Sequence, residues 1–170
     1  TVPRWEDTRA SSGFNFRMME LQGAVGIAQL RKLDDIVKAQ RANAKLLWAA
    51  ISDISGVVPR FSPEGSYETF DALVFFVQNE KVARECRKQL LKIGLGTKIL
   101  PEATSWHFAA EWSHMKELVE NDASALFNKF PVSTKLLKRA VSIPVGVNMP
   151  NIDLKSLHKA IVSACNLGSD

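Results

Sequence analysis

The chain has 170 residues, 46% hydrophobic and 24% charged, a balance that fits one globular domain and excludes a disordered, collagenous or disulfide-stapled chain. Its net charge of +4 is scattered over Arg31-Lys32, Arg84 to Lys92 and Lys135 to Arg139, without the single basic stripe or reading motif of a nucleic-acid binder. No apolar run approaches the roughly 20 residues of a membrane span. Cys86 and Cys165 offer no metal-ligand spacing, so no metal is expected and a reducing cytoplasm fits.

Thr1 to Ser12 is polar and irregular, lacks the order of a signal peptide and does not begin with Met, which reads as the interior of a longer protein. Residues 18–54 contain no proline. Their apolar side chains recur at three- and four-residue steps through Leu21, Val25, Ala28, then Leu33, Val37, Ala44, Leu47, Ile51 and Ile54, which predicts helix throughout. Unbroken, it would be about 55 Å long, more than one small core can cover; a break near Leu33-Asp34-Asp35 is the alternative. Val57-Val58-Pro59 reads as a short strand and Ser62 to Ser66 as a turn-rich loop.

The run Phe70 to Val77 predicts a central strand buried on both faces, with Phe75-Phe76 in the core. Glu80 to Ile93 follows as a helix with Val82, Cys86, Leu90 and Ile93 on one face, Leu90-Leu91 taken as core, and Gly94 as its C-cap. Thr97 to Leu100 reads as a strand, Pro101 to Asp122 as loop with short helical turns, and Ser133 to Arg139 as a short helix. Val141 to Val145 reads as an edge strand, because Pro144 cannot donate to a ladder. Asp153 to Asn166, opened by an Asn-Ile-Asp cap, is the last amphipathic helix.

Two residues near the start of the long helix invite functional readings. Asn15 stands before its first turn, where unpaired backbone N–H groups and the dipole favour an anion; it either adds a donor to such a site or simply caps the helix, the commoner role of asparagine. Arg17 brings a planar fork suited to a carboxylate or to sugar hydroxyls, in a place where its charge opposes the helix dipole. His107, between Trp106 and Phe108, reads first as a packed residue, and His114 and His158 have no supporting context.

The segment Gly13-Phe14-Asn15-Phe16-Arg17-Met18-Met19-Glu20-Leu21-Gln22, continued by Gly23 to Leu30 and by Lys32-Leu33-Asp34, resembles the DegT/DnrJ/EryC1/StrS family of sugar aminotransferases. Weaker similarity extends through Gly94 to Thr97, Trp106-His107, Phe130-Pro131 and Ser142 to Pro144. The resemblance implies an α+β chain, the C-terminal part of a fold-type-I aminotransferase that uses pyridoxal 5'-phosphate. Residues 1–17 would enter as a loop from a preceding large domain, residues 18–54 form the connecting helix, and residues 55–170 form the small domain, a mostly antiparallel sheet with flanking helices.

It further implies that Asn15 contacts the cofactor phosphate held by the other subunit of a homodimer, and that Arg17 and His107 face the substrate. Gly23 and Gly26 would allow close helix approach at the dimer contact. In the family the lysine that bonds the cofactor lies upstream of the Gly13 to Arg17 motif, so no catalytic residue is assigned here and these 170 residues alone are expected to be inactive. The implied reaction moves an amino group, from glutamate as donor, to a keto or aldehyde sugar, an octulosonate or a nucleotide sugar, for surface polysaccharide. Trp106 to Phe108 with Trp112 to Met115 most resembles the branch that aminates C8 of an octulosonate for lipopolysaccharide. The competing readings are a dehydratase or non-catalytic relative and a stand-alone binding module.

Overall fold

The proline-free stretch forms two helices. In a computed structural model, which describes residues 18–96, 98–99, 102, 108, 130–149 and 153–167, α1 (Glu20–Leu30) stops at a turn over Arg31 and Lys32 and α2 (Leu33–Ala49) begins at once. The single helix expected over 18–54 is therefore corrected: the chain turns just before Leu33-Asp34-Asp35 and leaves the helix after Ala49. The Lys32 N–H donates to Gln29 O at 3.0 Å, a tight i→i+3 closure, and Asp34 and Asp35 place negative charge in the first turn of α2, where it favours a new N-terminus. Contacts divide the chain into two compact units, Thr1–Asp34 and Asp35–Asp170. In the first, α1 buries none of its side chains, and Leu21, Val25, Ile27 and Leu30 are all exposed.

The second unit is built on a four-stranded antiparallel sheet of order β1-β2-β4-β3, with β1 Val58–Pro59, β2 Ala72–Phe76, β3 Lys98–Ile99 and β4 Ala140–Pro144. Leu73 pairs with Ile143 and Phe75 with Val141, so one face of β2 and β4 is a continuous buried apolar surface. The other face is only half-buried at Ala72, Val74 and Phe76, which corrects the expectation of a strand buried on both sides. Alternation of this kind is what an antiparallel sheet with one core face produces.

β4 is an inner strand, flanked by β2 and β3, where an edge strand was expected from Pro144. The proline is tolerated by position. Val145 N–H donates to Asp71 O at 2.8 Å on the β2 side, so the Pro144 nitrogen points the other way, where, among the described residues, β3 pairs with Ser142 and Val141 and not with Pro144.

Between β2 and β3 runs α3 (Glu80–Lys92), opened by Asn79, whose Oδ1 accepts from Val82 N–H at 2.9 Å. It closes on Gly94 at φ +79, with Leu95 N–H donating to Leu90 O and Gly94 N–H to Leu91 O, both at 3.0 Å. Val82, Cys86 and Leu90 are fully buried, whereas Leu91, read as core with Leu90, is 45% exposed because one residue turns it about 100° away. After α4 (Pro131–Leu137) and β4, the chain ends its described part in α5 (Leu154–Leu167), capped by Asp153 through the N–H groups of Lys155 and Ser156. Leu157, Ile161 and Ala164 of α5 complete the core with α3, the inner sheet face, Ala44 and Leu47 of α2, and Ile51 just after it.

Candidate functional site

Asn15, Arg17 and His107, together with Trp106, Trp112 and His114, lie outside the described residues. Gly23 and Gly26 are both on α1, and a Cβ added at Gly26 would meet nothing within 4 Å. Among the described residues Gly26 thus opens onto free space, whereas a Cβ at Gly23 would touch the Met18 Sδ at 3.8 Å.

Within the second unit, the described side chains build a cleft of about 520 Å³ between α2 and the β1-β2 edge of the sheet. Arg41, Lys45 and Trp48 line it from one side, because steps of four and three residues bring them onto one helix face. Arg60 and Ser62 follow β1 and Glu68 and Phe70 precede β2, while Ala72 and Val74 of β2 contribute apolar floor. Its volume lies in the range of small-molecule sites.

The polar groups of this cleft are tied to one another. The Arg41 Nη1–H donates to Glu68 O at 2.6 Å, and its guanidinium lies 4.1 Å from the centroid of the Tyr67 ring and 5.9 Å from that of Phe70. Arg60 forms an ion pair with the Glu68 carboxylate. The hydrogen bond from Ser62 and then that pairing with Arg60 hold the Glu68 carboxyl below its ordinary value, against the opposing effect of its partial burial. Lys45 is exposed and has no hydrogen-bond or ion-pair partner among the described residues.

Phe70 completes the cleft in an uncommon conformation. Its φ of +54 places a bulky non-glycine residue in the left-handed region, a cost of about 1–3 kcal/mol that its surroundings must offset. Packing of its ring against the core cluster and the approach of Arg41 supply two such contacts.

Outside the cleft, His158 has structural partners and the two cysteines are buried. His158 Nδ1 sits 2.9 Å from Ala50 O and 3.6 Å from Asp53, joining α5 to the segment that follows α2. Burial pushes the Cys86 thiol up to about 12 and also raises Cys165, so both are poor nucleophiles. Among the described residues no group of three His, Cys, Asp or Glu side chains could hold a metal ion, and no helix is long and apolar enough to cross a membrane.

Sequence reasoning passed over the cleft. The 41, 45, 48 spacing of two cations and an indole was a readable signal, masked by the stronger apolar pattern of the same helix. Glu68 and Arg60 carried no signal, because they stand eight residues apart in an irregular segment and meet only through the antiparallel pairing of β1 with β2.

Residues 2–162 match the sequence pattern of the DegT/DnrJ/EryC1/StrS aminotransferase family. The spore coat polysaccharide biosynthesis protein SpsC of Bacillus subtilis (strain 168) is 26% identical over 163 residues, which cover 92% of this chain and 39% of SpsC. Among solved structures, the sugar aminotransferase CalS13 from Micromonospora echinospora superposes with a TM-score of 0.62 at 20% identity, over 89% of this chain and 37% of CalS13. A GDP-4-keto-6-deoxymannose-3-dehydratase with a trapped PLP-glutamate geminal diamine does so with a TM-score of 0.64 at 17% identity, over 95% of this chain and 40% of the dehydratase. At those identities the likeness shows a shared fold, that of the fold-type-I aminotransferases. The chain spans about two fifths of the length of these relatives.

Proposed function

The chain belongs to the DegT/DnrJ/EryC1/StrS aminotransferase family, and we propose that it is the C-terminal part of a pyridoxal-phosphate enzyme that aminates a keto or aldehyde sugar, with glutamate as donor. The observation that carries this reading is the segment Gly13 to Gln22, with Asn15 and Arg17 at the head of the family's helix, inside a match that runs over residues 2–162. Similarity to a spore coat polysaccharide biosynthesis protein supports a surface sugar as the product's destination. An octulosonate for lipopolysaccharide is the finer reading, resting on the Trp106 to Met115 pattern. Work on such a precursor is compatible with a cytoplasmic site of action.

The cleft between α2 and the β1-β2 edge does not fit the cofactor. A pyridinium nitrogen needs a free carboxylate, and Glu68, the one carboxylate lining the cleft, already accepts from Arg60 and Ser62. By the family resemblance, cofactor contact falls to Asn15, whose amide would donate to the phosphate of the other subunit's cofactor. Arg17 and His107 would face the substrate, Arg17 through its fork. The exposed apolar side chains of α1 and the open space at Gly26 support a homodimer that covers this helix. With the cofactor lysine placed upstream of Gly13, the 170 residues alone are inactive.

The test is an assay of the complete protein with pyridoxal phosphate, glutamate and keto sugars. Amino transfer predicts that 2-oxoglutarate appears with an amino sugar, nitrogen gained in equal measure. A sugar that loses a hydroxyl without gaining nitrogen would replace this reading with a dehydratase, the activity named for one structural neighbour. No reaction with glutamate under any loading of cofactor would leave a binding module.

A further inference from the structure

We propose that the outer side of α5, where it meets the segment that follows α2, binds a neutral saccharide of at least two rings, an assignment that uses none of Asn15, Arg17 or His107 and does not rest on the amino-transfer reading. Two hollows of about 470 and 410 Å³ lie there and share His158, Val162 and Asn166. Steps of four residues put these three on one stripe of the helix, about 12 Å long, so an extended ligand can straddle it and enter both hollows. Asp53, Ser55 and Gln78 bound the first hollow, and Lys159 and Ser163 the second. Charge argues against an ionic ligand. Among the described residues one carboxylate, Asp53, and one ammonium, Lys159, line the pair of hollows, so neither sign is in excess to attract a phosphate or a polyamine.

The hydrogen-bonding groups select for hydroxyls. His158 Nδ1 lies 2.9 Å from Ala50 O, and a carbonyl oxygen only accepts, so Nδ1 carries the proton and the neutral ring presents Nε2 as an acceptor. Asp53, 3.6 Å from the same Nδ1 and 74% exposed, offers further acceptors. The Asn166 amide has no hydrogen-bond partner among the described residues, and the Gln78 amide reaches only Ser55 O, through Nε2 at 3.5 Å, so each presents donor and acceptor side by side. A hydroxyl matches such a mixture because it donates and accepts at one atom. Sugar rings join several hydroxyls to an apolar C–H face, and Ile54 with the half-buried Val162 forms an apolar floor for that face. Gln78 is held in place by a glycine. Residue Gly56 stands at φ +83, and a side chain there would collide with the Gln78 amide, so this wall of the hollow is organised before a ligand arrives.

Ligand-observed NMR titration of the full chain with maltose, cellobiose, glucose, glucosamine and glucose 6-phosphate in separate arms tests this. The expected result is saturable binding of at least one of the two disaccharides, indifferent to salt, with glucose about threefold weaker or more because it reaches one hollow only. Neither glucosamine nor glucose 6-phosphate should bind more tightly than glucose. Asn166→Ala and Gln78→Ala should each weaken the disaccharide about threefold or more, the loss of one neutral hydrogen bond; both residues are exposed, and thermal melts verify that the variants fold. Absence of saturable binding by both disaccharides overturns the proposal. So does an affinity that neither variant changes, which would place the sugar elsewhere. Tighter binding of glucosamine or glucose 6-phosphate than of glucose would overturn the neutral character of the ligand, and glucose as tight as the disaccharides would overturn the part played by the second hollow. None of these outcomes bears on glutamate turnover, so failure here leaves the amino-transfer reading standing.

Discussion

Glu68 shows how one side chain organises a surface. Its carboxylate takes Ser62 and Arg60, its backbone carbonyl takes Arg41, and the loop between β1 and β2 is thereby anchored to α2. Because its folded carboxyl lies below the ordinary value, its charge stabilises the fold at pH above the ordinary carboxyl range, and that contribution is lost as pH falls through the depressed value. Arg60 is 53% exposed, so solvent screening keeps the pair to at most about 1 kcal/mol. Glu68→Gln should lower the melting temperature slightly near pH 7, and the gap to the unmodified chain should close as pH falls below the ordinary carboxyl range. A gap that persists unchanged at acid pH would mean that shape, and not charge, accounts for the effect. None of this was legible in the sequence, where Glu68 is one charged residue in an irregular segment.

At the scale of elements, legibility followed the locality of the cause. α3 could be read in full, since its cap at Asn79, its apolar face and its stop at Gly94 are all encoded within 16 residues. β4 was misplaced at an edge because whether a proline nitrogen faces a neighbour depends on where β3 ends, a fact of tertiary pairing. Asp34 and Asp35 marked the helix break to within a turn, though the periodicity alone argued for continuity. Leu90 and Leu91 make the sharpest contrast: the first is fully buried and the second is 45% exposed. Leu90→Ala should cost about 2–5 kcal/mol through the cavity it leaves, and Leu91→Ala about 0.5 kcal/mol or less, read as urea midpoints of the chain. Equal losses would mean that the turn between them is placed wrongly.

For the molecule as a whole, the family could be read from ten residues while the sites those residues serve could not be built from the chain. Gly13 to Gln22 is a local motif, so it survives in sequence; Asn15, by the proposed reading, acts on a phosphate carried by another subunit. Exposed Leu21, Val25, Ile27 and Leu30 on α1 fit such a contact, since an 11-residue helix without a buried side chain has no core of its own.

A hybrid-dimer experiment on the complete protein tests that shared site most directly. One variant carries Asn15→Ala, which removes a phosphate donor and should weaken cofactor binding about 10- to 100-fold. The other keeps Asn15 and lacks the upstream cofactor lysine. Each should have little activity alone at limiting pyridoxal phosphate. After subunit exchange, half of the dimers are hybrids with one intact site, so the mixture should recover roughly a quarter of the unmodified activity. A mixture no more active than its two components would contradict a site shared across the dimer and return Asn15 to the role of a helix cap.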